Sequence, residues 1–583
     1  MAYLENINSP ADVKKLPLSA FGTLAEEMRA AILNKVSHIG GHVGPNLGMV
    51  EATIALHYVF ESPKDKIVFD VSHQCYPHKL LTGRKEGFLN PDLFGKYSGY
   101  TNPNESEHDF FIVGHTSTSV SLAIGLAKAR DLLHQQGNII AVIGDGSLSG
   151  GEALEGLSNA AVLGSNMIVL VNDNEMSIAE NHGGLYANLR LLRETNGQSE
   201  CNMFKAWGFD YRYLEHGNNT AELIKLFQEV KDINHPIVVH IHTNKGNGYS
   251  FAEQNKEKWH WNMPFDIKTG QNTVTFSGEN YLEITSDYLL DKVAQDKSVV
   301  VVNAGTPGAI GFSPEKRAQM GANYIDVGIA EEHAIAMTSA LAKGGCKPVW
   351  AVWSSFAQRA YDQMSQDLAI NNNPAVILVF SGAISGMDVT HLGCFDIPLI
   401  SNIPNLVCLA PTTKEEYLAM LDWGLAQTQH PVVIRVPQAV IHADTPVAKD
   451  YSALNTYELA QKGSKVAIIA LGSFFGLGQK VCAELQNQGL TPTLINPRYY
   501  SGIDTAMLES LKTDHQLVVT LEDGVLDGGF GEKITRFYGD SAVKVFNRGA
   551  IKEFVDRANL DELYQRYRLT PELITADILA NLK

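Results

Sequence analysis

Cysteine is scarce in this 583-residue chain: six residues, at positions 75, 201, 346, 394, 408 and 482, with no two forming a CxxC pair. That spacing excludes a disulfide framework and a cysteine-based zinc site. Basic residues are outnumbered, 46 Lys and Arg against 64 Asp and Glu, for a net charge of −18. A chain of that sign has no general attraction for nucleic-acid backbones or anionic bilayers, so neither is an expected partner. Long apolar runs are missing as well. The longest, Val466 to Phe475, contains Gly472 and falls far short of the ~20 residues that span a bilayer. Met1 to Leu16 holds no apolar core of the kind a signal peptide needs. The expectation is a cytoplasmic protein with reduced thiols.

What is present reads as a globular α/β protein. Hydrophobic residues make up 45% and charged residues 19%, too apolar for a disordered chain. Apolar runs of about five residues recur at Ile139–Ile143, Met167–Val171, Ile237–Ile241, Val299–Val302, Val376–Phe380, Val432–Val436, Val466–Ala470 and Leu517–Leu521. Such runs suit strands buried on both faces. Segments of helical period lie between them, for example Ser119–His134, Leu223–Lys231 and Lys414–Gln427. The alternation predicts mostly parallel sheets flanked by helices. Three domains are expected, 1–265, 281–440 and 455–583, separated by a polar linker from Asp266 to Asn280 and a looser segment beginning at Ile441.

The strongest motif is Gly144-Asp145-Gly146, followed after 25 residues by Asn172-Asp173-Asn174. Each half follows an apolar strand, so a carboxylate and an amide converge at the carboxyl edge of a parallel sheet, where α/β proteins bind ligands. Asp145 and Asn174 offer hard oxygens to Mg²⁺, which takes few protein ligands and completes its octahedron with phosphate oxygens and water. Gly146 lets the backbone approach a phosphate. Gly-Asp-Gly alone is as often an ordinary strand–helix turn; its spacing to Asn-Asp-Asn removes that reading. The pair resembles the thiamine diphosphate fingerprint of transketolase-like enzymes. Thiamine also needs a carboxylic acid beside its aminopyrimidine ring. In the second block, Ile325 to His333 reads as an apolar strand closing on Glu331, then a helix from Ala334 to Leu341. Glu331 is the expected activating acid, and His333 is assigned no catalytic role.

Longer runs narrow the resemblance. Asp70 to Lys79, Val113 to Ser119, Asn172 to Ser177 and Ser355 to Gln363 together resemble the 1-deoxy-D-xylulose-5-phosphate synthase family, over nearly the whole chain. That resemblance implies a three-domain transketolase-like fold, a homodimer, and condensation of pyruvate with glyceraldehyde 3-phosphate with loss of CO₂. It implies Mg²⁺ on Asp145, Asn174 and the Met176 backbone. It places His73, Gly114, His115, Thr116, Gly146, Ser147 and Asn174 around the diphosphate and thiazolium, with Tyr249 as an aromatic contact and Glu331 at the pyrimidine. His42, His260 and His391 match positions used near the reacting carbon, work that suits an imidazole titrating near working pH.

The acceptor end departs from the family. Phe380-Ser381-Gly382-Ala383 stands where the family has Asp-Arg-Ala-Gly, and Gln438 replaces an arginine three residues after Arg435. Trp353 replaces a tyrosine, Asp388 is an approximate match for a substrate aspartate, and the segment between Glu180 and Cys201 is short. Arg359 is left as the expected grip on an acceptor phosphate. The Glu522-Asp523-Gly524 stretch reads as a structural turn. Three functional readings follow. One is a synthase of this family with a divergent acceptor pocket. A second is a carboligase or transketolase of the same fold acting on another aldehyde or sugar phosphate. The third, a catalytically silent binding or regulatory subunit, is opposed by the presence of Asp145, Asn174, Glu331 and His42.

Overall fold

The computed structural model describes residues 3–275 and 277–582; Phe276 of the expected linker lies outside them. The chain forms two compact units, residues 1–277 with 328–330, and residues 278–327 with 331–583.

The first unit is built on a five-stranded parallel sheet, in the order Lys66–Phe69, Ile139–Gly144, Met167–Asp173, Pro236–His242, Asp210–Leu214. Its strands are apolar throughout because both faces are covered. Ile140, Val142, Ile168, Leu170, Val239 and Ile241 face helices Phe21–Ile39, Val50–Val59 and Thr220–Val230. The alternate residues Ile139, Ala141, Ile143, Val169 and Val171 face helices Ser119–Leu132, Gly151–Ala160 and Gly184–Glu194. A separate two-residue ribbon pairs Gly41–His42 antiparallel with Trp261–Asn262.

The second unit holds two sheets. The six-stranded one is parallel, ordered Val407–Leu409, Val432–Arg435, Val376–Phe380, Lys347–Trp353, Val299–Asn303, Tyr324–Asp326. The five-stranded one runs Glu458–Gln461, Thr493–Asn496, Lys465–Ala470, His515–Val525, Lys544–Ala550, with Glu458–Gln461 antiparallel at its edge. All eight apolar runs of the sequence are strands. The strands that the apolar pattern misses carry polar or aromatic residues, as in Asp210–Leu214 at a sheet edge and Lys347–Trp353. Among the described residues no helix is long and apolar enough to cross a membrane.

Two sequence expectations change here. Glu522 and Asp523 form no turn: the strand His515–Val525 runs through them, and the Glu522 carboxylate accepts the N–H groups of Phe530 and Gly531, each at 2.8 Å, at the start of helix Phe530–Tyr538. The strand before Glu331 ends earlier, at Asp326. Gly328, with φ +75°, breaks the extended chain, and Glu331 opens the helix Glu331–Lys343.

The first unit also buries a chain of polar side chains. His57 Nε2 meets His78 Nδ1 at 2.8 Å, His78 Nε2 meets Asp109 at 2.9 Å, and Arg84 donates to Asp109 while Lys79 pairs with Glu105. Burial drives His57 well below its ordinary range and His78 to about 4, against the pull of Asp109. Both imidazoles are therefore neutral when folded and take up protons on unfolding below pH ~6.5. Unfolded chain binds more protons in that window, so stability falls as pH drops from ~6.5 toward ~4, by up to about 1.4 kcal/mol per pH unit for each histidine. Calorimetry should show unfolding moving to lower temperature between pH 7 and pH 5. A transition temperature that is flat over that range would mean that the folded protein protonates them.

Candidate active site

Asp145 and Asn174 sit where the strand pattern places them. Strands Ile139–Gly144 and Met167–Asp173 are parallel neighbours in register, Gly144 beside Asn172, so the residues after them share one sheet edge. The next strands bring Asp70 and Lys245 to the same edge. Asp145 opens a short 3₁₀ turn, Asp145–Ser149. Its carboxylate is buried and accepts the Asn181 amide at 2.7 Å. Burial, with the charge of Asp173 nearby, pushes it up to about 8. Asn174 Oδ1 accepts the Met176 N–H at 3.2 Å, which folds the Met176 segment back over the edge. A Cβ on Gly146 would lie 2.9 Å from Ser177, so only glycine fits where that segment crosses.

The fit to a cation can be judged from these groups. Among the described residues no cluster of three His, Cys, Asp or Glu stands ready for a metal. Asp145 and Asn174 offer instead a buried carboxylate and an amide oxygen beside backbone carbonyls, a hard and sparse set that suits Mg²⁺ with phosphate and water rather than zinc. A carboxylate desolvated in this way gains from a positive partner. Lys245 is a cationic side chain on this edge whose charge acts on Asp145. It is buried, donates to the Ser177 carbonyl at 2.6 Å, and is pushed down to about 7 by burial against the charge of Asp145.

Asp70 was not singled out by sequence, yet it organises the Gly114-His115-Thr116 loop. Its two carboxylate oxygens accept the N–H groups of Ser117 and Ser119, at 2.8 and 2.9 Å. Ser117, held at φ +76°, donates its hydroxyl to the Ser147 carbonyl at 2.8 Å, tying that loop to the Asp145 turn.

Three expected histidines converge. His42 and His260 meet through the Gly41–His42 and Trp261–Asn262 ribbon; their ring centroids are 5.6 Å apart, and His73 lies 5.0 Å from the first and 5.1 Å from the second. Asn46, missed by sequence, donates to the carbonyls of both His42 and His73 at 2.9 and 2.8 Å. Its signal was the run Gly41-His42-Val43-Gly44-Pro45-Asn46. The expectation of a near-neutral pKa does not hold for His260. Burial, then the charges of Lys245, His73 and His42, hold it well below the ordinary histidine range, so it is a neutral hydrogen-bonding group. Its Nδ1 is buried without a hydrogen-bond partner. Tyr249 lies among Phe251, Trp259 and Phe265, with its hydroxyl donated to the Ile267 carbonyl at 3.0 Å.

In the second unit, Glu331 is 4% exposed and its carboxyl is raised by burial, against the opposing charge of Arg359. Arg359 lies 3.5 Å from that carboxyl, so the arginine expected at an acceptor phosphate is turned to Glu331. His391 ends a 3₁₀ turn, Val389–His391, edge-on to Phe356 at 5.7 Å, and Phe356 stacks on Trp353 at 6.1 Å. Asp388 lies 3.9 Å from Arg557, which also pairs with Asp556.

Sequence gave no hint of the Arg435 site. This buried guanidinium donates to Asp396 at 2.6 Å and to Asp523, from three segments far apart in the chain. A Cβ on Gly382 would fall 2.3 Å from Asp396 and 3.0 Å from Arg435, so this ion cluster fills the space beside the Ser381-Gly382 departure. Arg435→Met leaves two buried carboxylates without their cation and is expected to destabilise the protein by about 3–5 kcal/mol. Urea unfolding of the variant checks this, and an unchanged midpoint would show the cluster to be neutral in net energy.

The family model described as 1-deoxy-D-xylulose-5-phosphate synthase matches residues 4–202, that of the transketolase pyrimidine binding domain residues 280–442, and that of the transketolase C-terminal domain residues 456–574. The 1-deoxy-D-xylulose-5-phosphate synthase of Carboxydothermus hydrogenoformans is 37% identical, covering 98% of this chain and 97% of the relative. That of Caldanaerobacter subterraneus subsp. tengcongensis is also 37% identical, covering 100% and 99%. A solved transketolase from Leishmania mexicana matches at 16% identity and a TM-score of 0.44, covering 96% of this chain and 97% of that one. With a transketolase-like α/β fold and full-length relatives of one kind, the chain belongs to the 1-deoxy-D-xylulose-5-phosphate synthase family and is a transketolase-type transferase.

Proposed function

We propose that the protein condenses pyruvate with D-glyceraldehyde 3-phosphate to 1-deoxy-D-xylulose 5-phosphate and CO₂, using thiamine diphosphate and Mg²⁺, as a homodimer in the cytoplasm. The observation that carries this reading is the pair Asp145 and Asn174 at the ends of neighbouring parallel strands. Asp145, Asn174 and the Met176 carbonyl hold the metal; His73, Gly114, His115, Thr116, Gly146 and Ser147 receive the diphosphate and thiazolium side, and Tyr249 supports them. When bound, the cofactor supplies the carbanion-type chemistry, C–C cleavage of pyruvate and transfer of its two-carbon remainder, that side chains alone cannot. Glu331, buried and raised, exchanges its proton with the aminopyrimidine nitrogen. His42, His260 and His391 serve the reacting carbon, His260 as a neutral imidazole, and Asp388 takes the acceptor.

A second reading is favoured by the arginines. Arg435 is enclosed by Asp396 and Asp523, Gln438 follows it, and Arg359 faces Glu331. Two missing phosphate contacts at about 1.5–3 kcal/mol each weaken acceptor binding by roughly 10²–10⁴-fold. On this reading the protein is a carboligase or transketolase whose acceptor carries no phosphate. Comparing kcat/KM for D-glyceraldehyde 3-phosphate and D-glyceraldehyde separates the two. A preference of about a hundredfold or more for the phosphate supports the synthase, and near-equal values support the second reading.

A further inference from the structure

The segment between Glu180 and Cys201 is not an open loop. It contains the helix Gly184–Glu194, anchored on the Asp145 edge. Asn181 donates to Asp145 at 2.7 Å, and the Tyr186 hydroxyl donates to the Gly146 carbonyl at 3.2 Å. At the far end of the helix, Arg193 donates to Asp173 with one guanidinium nitrogen and to Glu175, at 3.1 Å, with another. Asp173 and Glu175 are the two neighbours of Asn174.

The turn carrying Asn174 needs such support. Glu175 sits at φ +65°, a left-handed conformation that is unfavourable for a side chain other than glycine. The fully buried Asp173 closes the turn by accepting the Glu175 N–H at 3.1 Å, and is itself held by His240 at 2.9 Å, which Tyr211 fixes at 2.8 Å. The Arg193 side chain joins both flanks, as does His242, which pairs with Asp173 across the sheet and lies 3.1 Å from the Glu175 carboxylate.

We propose that Arg193 is a positioning residue for the cation: by clamping Asp173 and Glu175 it sets the orientation of Asn174, so that the helix Gly184–Glu194 acts as a fixed brace on the cofactor edge. The inference rests on the proposed Mg²⁺ and thiamine diphosphate site. Groups that orient direct metal ligands are worth about 10–100-fold in metal affinity when removed.

The test is calorimetric titration of the full-length protein with thiamine diphosphate at a series of Mg²⁺ concentrations. Arg193→Met is expected to raise the Mg²⁺ concentration for half-maximal binding about tenfold. Arg190→Met, on the exposed side of the same helix where Arg190 pairs with Glu194 at 3.9 Å, is expected to leave it unchanged. Equal Mg²⁺ requirements for Arg193→Met and wild type overturn the proposal. So does an equal rise in both variants, which would report helix integrity instead. Where Arg193→Met folds poorly, Arg193→Lys decides. Lysine keeps the charge but lacks the planar fork that sets separate nitrogens on the two carboxylates, so a smaller rise supports the clamp and a wild-type requirement overturns it. Absence of Mg²⁺-dependent binding by the wild-type protein would instead bring down the cofactor reading on which the proposal stands.

Discussion

Glu331→Gln is expected to lower turnover by about 10²–10⁴-fold while leaving Mg²⁺ and thiamine diphosphate binding within a few-fold of wild type. The substitution is nearly isosteric, so the start of helix Glu331–Lys343 keeps its shape. What disappears is an exchangeable carboxyl proton. In the native protein burial raises this carboxyl while the charge of Arg359, 3.5 Å away, opposes the rise, and a carboxyl can both give and accept a proton. An amide does neither. Steady-state kinetics with a parallel binding titration checks the split between turnover and affinity, and wild-type turnover in the variant would remove Glu331 from the mechanism.

Asp145→Ala should strike binding itself. Asp145 is the sole carboxylate among the three proposed metal ligands, and it is enclosed at the strand end beside Gly146. Its loss removes the charge that compensates the cation. The drop in Mg²⁺-dependent cofactor affinity should therefore be at least the ~10–100-fold seen for supporting groups. Glu331→Gln and Asp145→Ala thus separate two proposed roles: the first loses rate with affinity kept, the second loses affinity. Unchanged cofactor affinity in Asp145→Ala would move the metal elsewhere.

How much of this was legible in the sequence depended on distance along the chain. The Asp145 and Asn174 positions were readable because each motif carries its own strand and its own turn, and neighbouring parallel strands place the turns side by side. The three histidines were readable singly through resemblance, but not as a cluster. A pairing of two-residue strands that sets His42 opposite Trp261, the residue after His260, leaves no periodic trace. Arg435 with Asp396 and Asp523 was invisible for the same reason, and the turn propensity of Asp523-Gly524 misled because burial beside Arg435 overrides it. Glu331 reads in the sequence as the end of an apolar strand with a helix following from Ala334; the break at Gly328 moves the strand end to Asp326, and the helix begins at Glu331 itself. The brace from Arg193 could not have been foreseen, because its logic depends on the left-handed turn at Glu175.

The most direct test of the central claim is CO₂ release from pyruvate by the purified protein supplied with thiamine diphosphate and Mg²⁺, with and without D-glyceraldehyde 3-phosphate. The account predicts release that requires both cofactors, rises with the phosphorylated acceptor, and yields 1-deoxy-D-xylulose 5-phosphate. Release indifferent to that acceptor, or none at all, would contradict it.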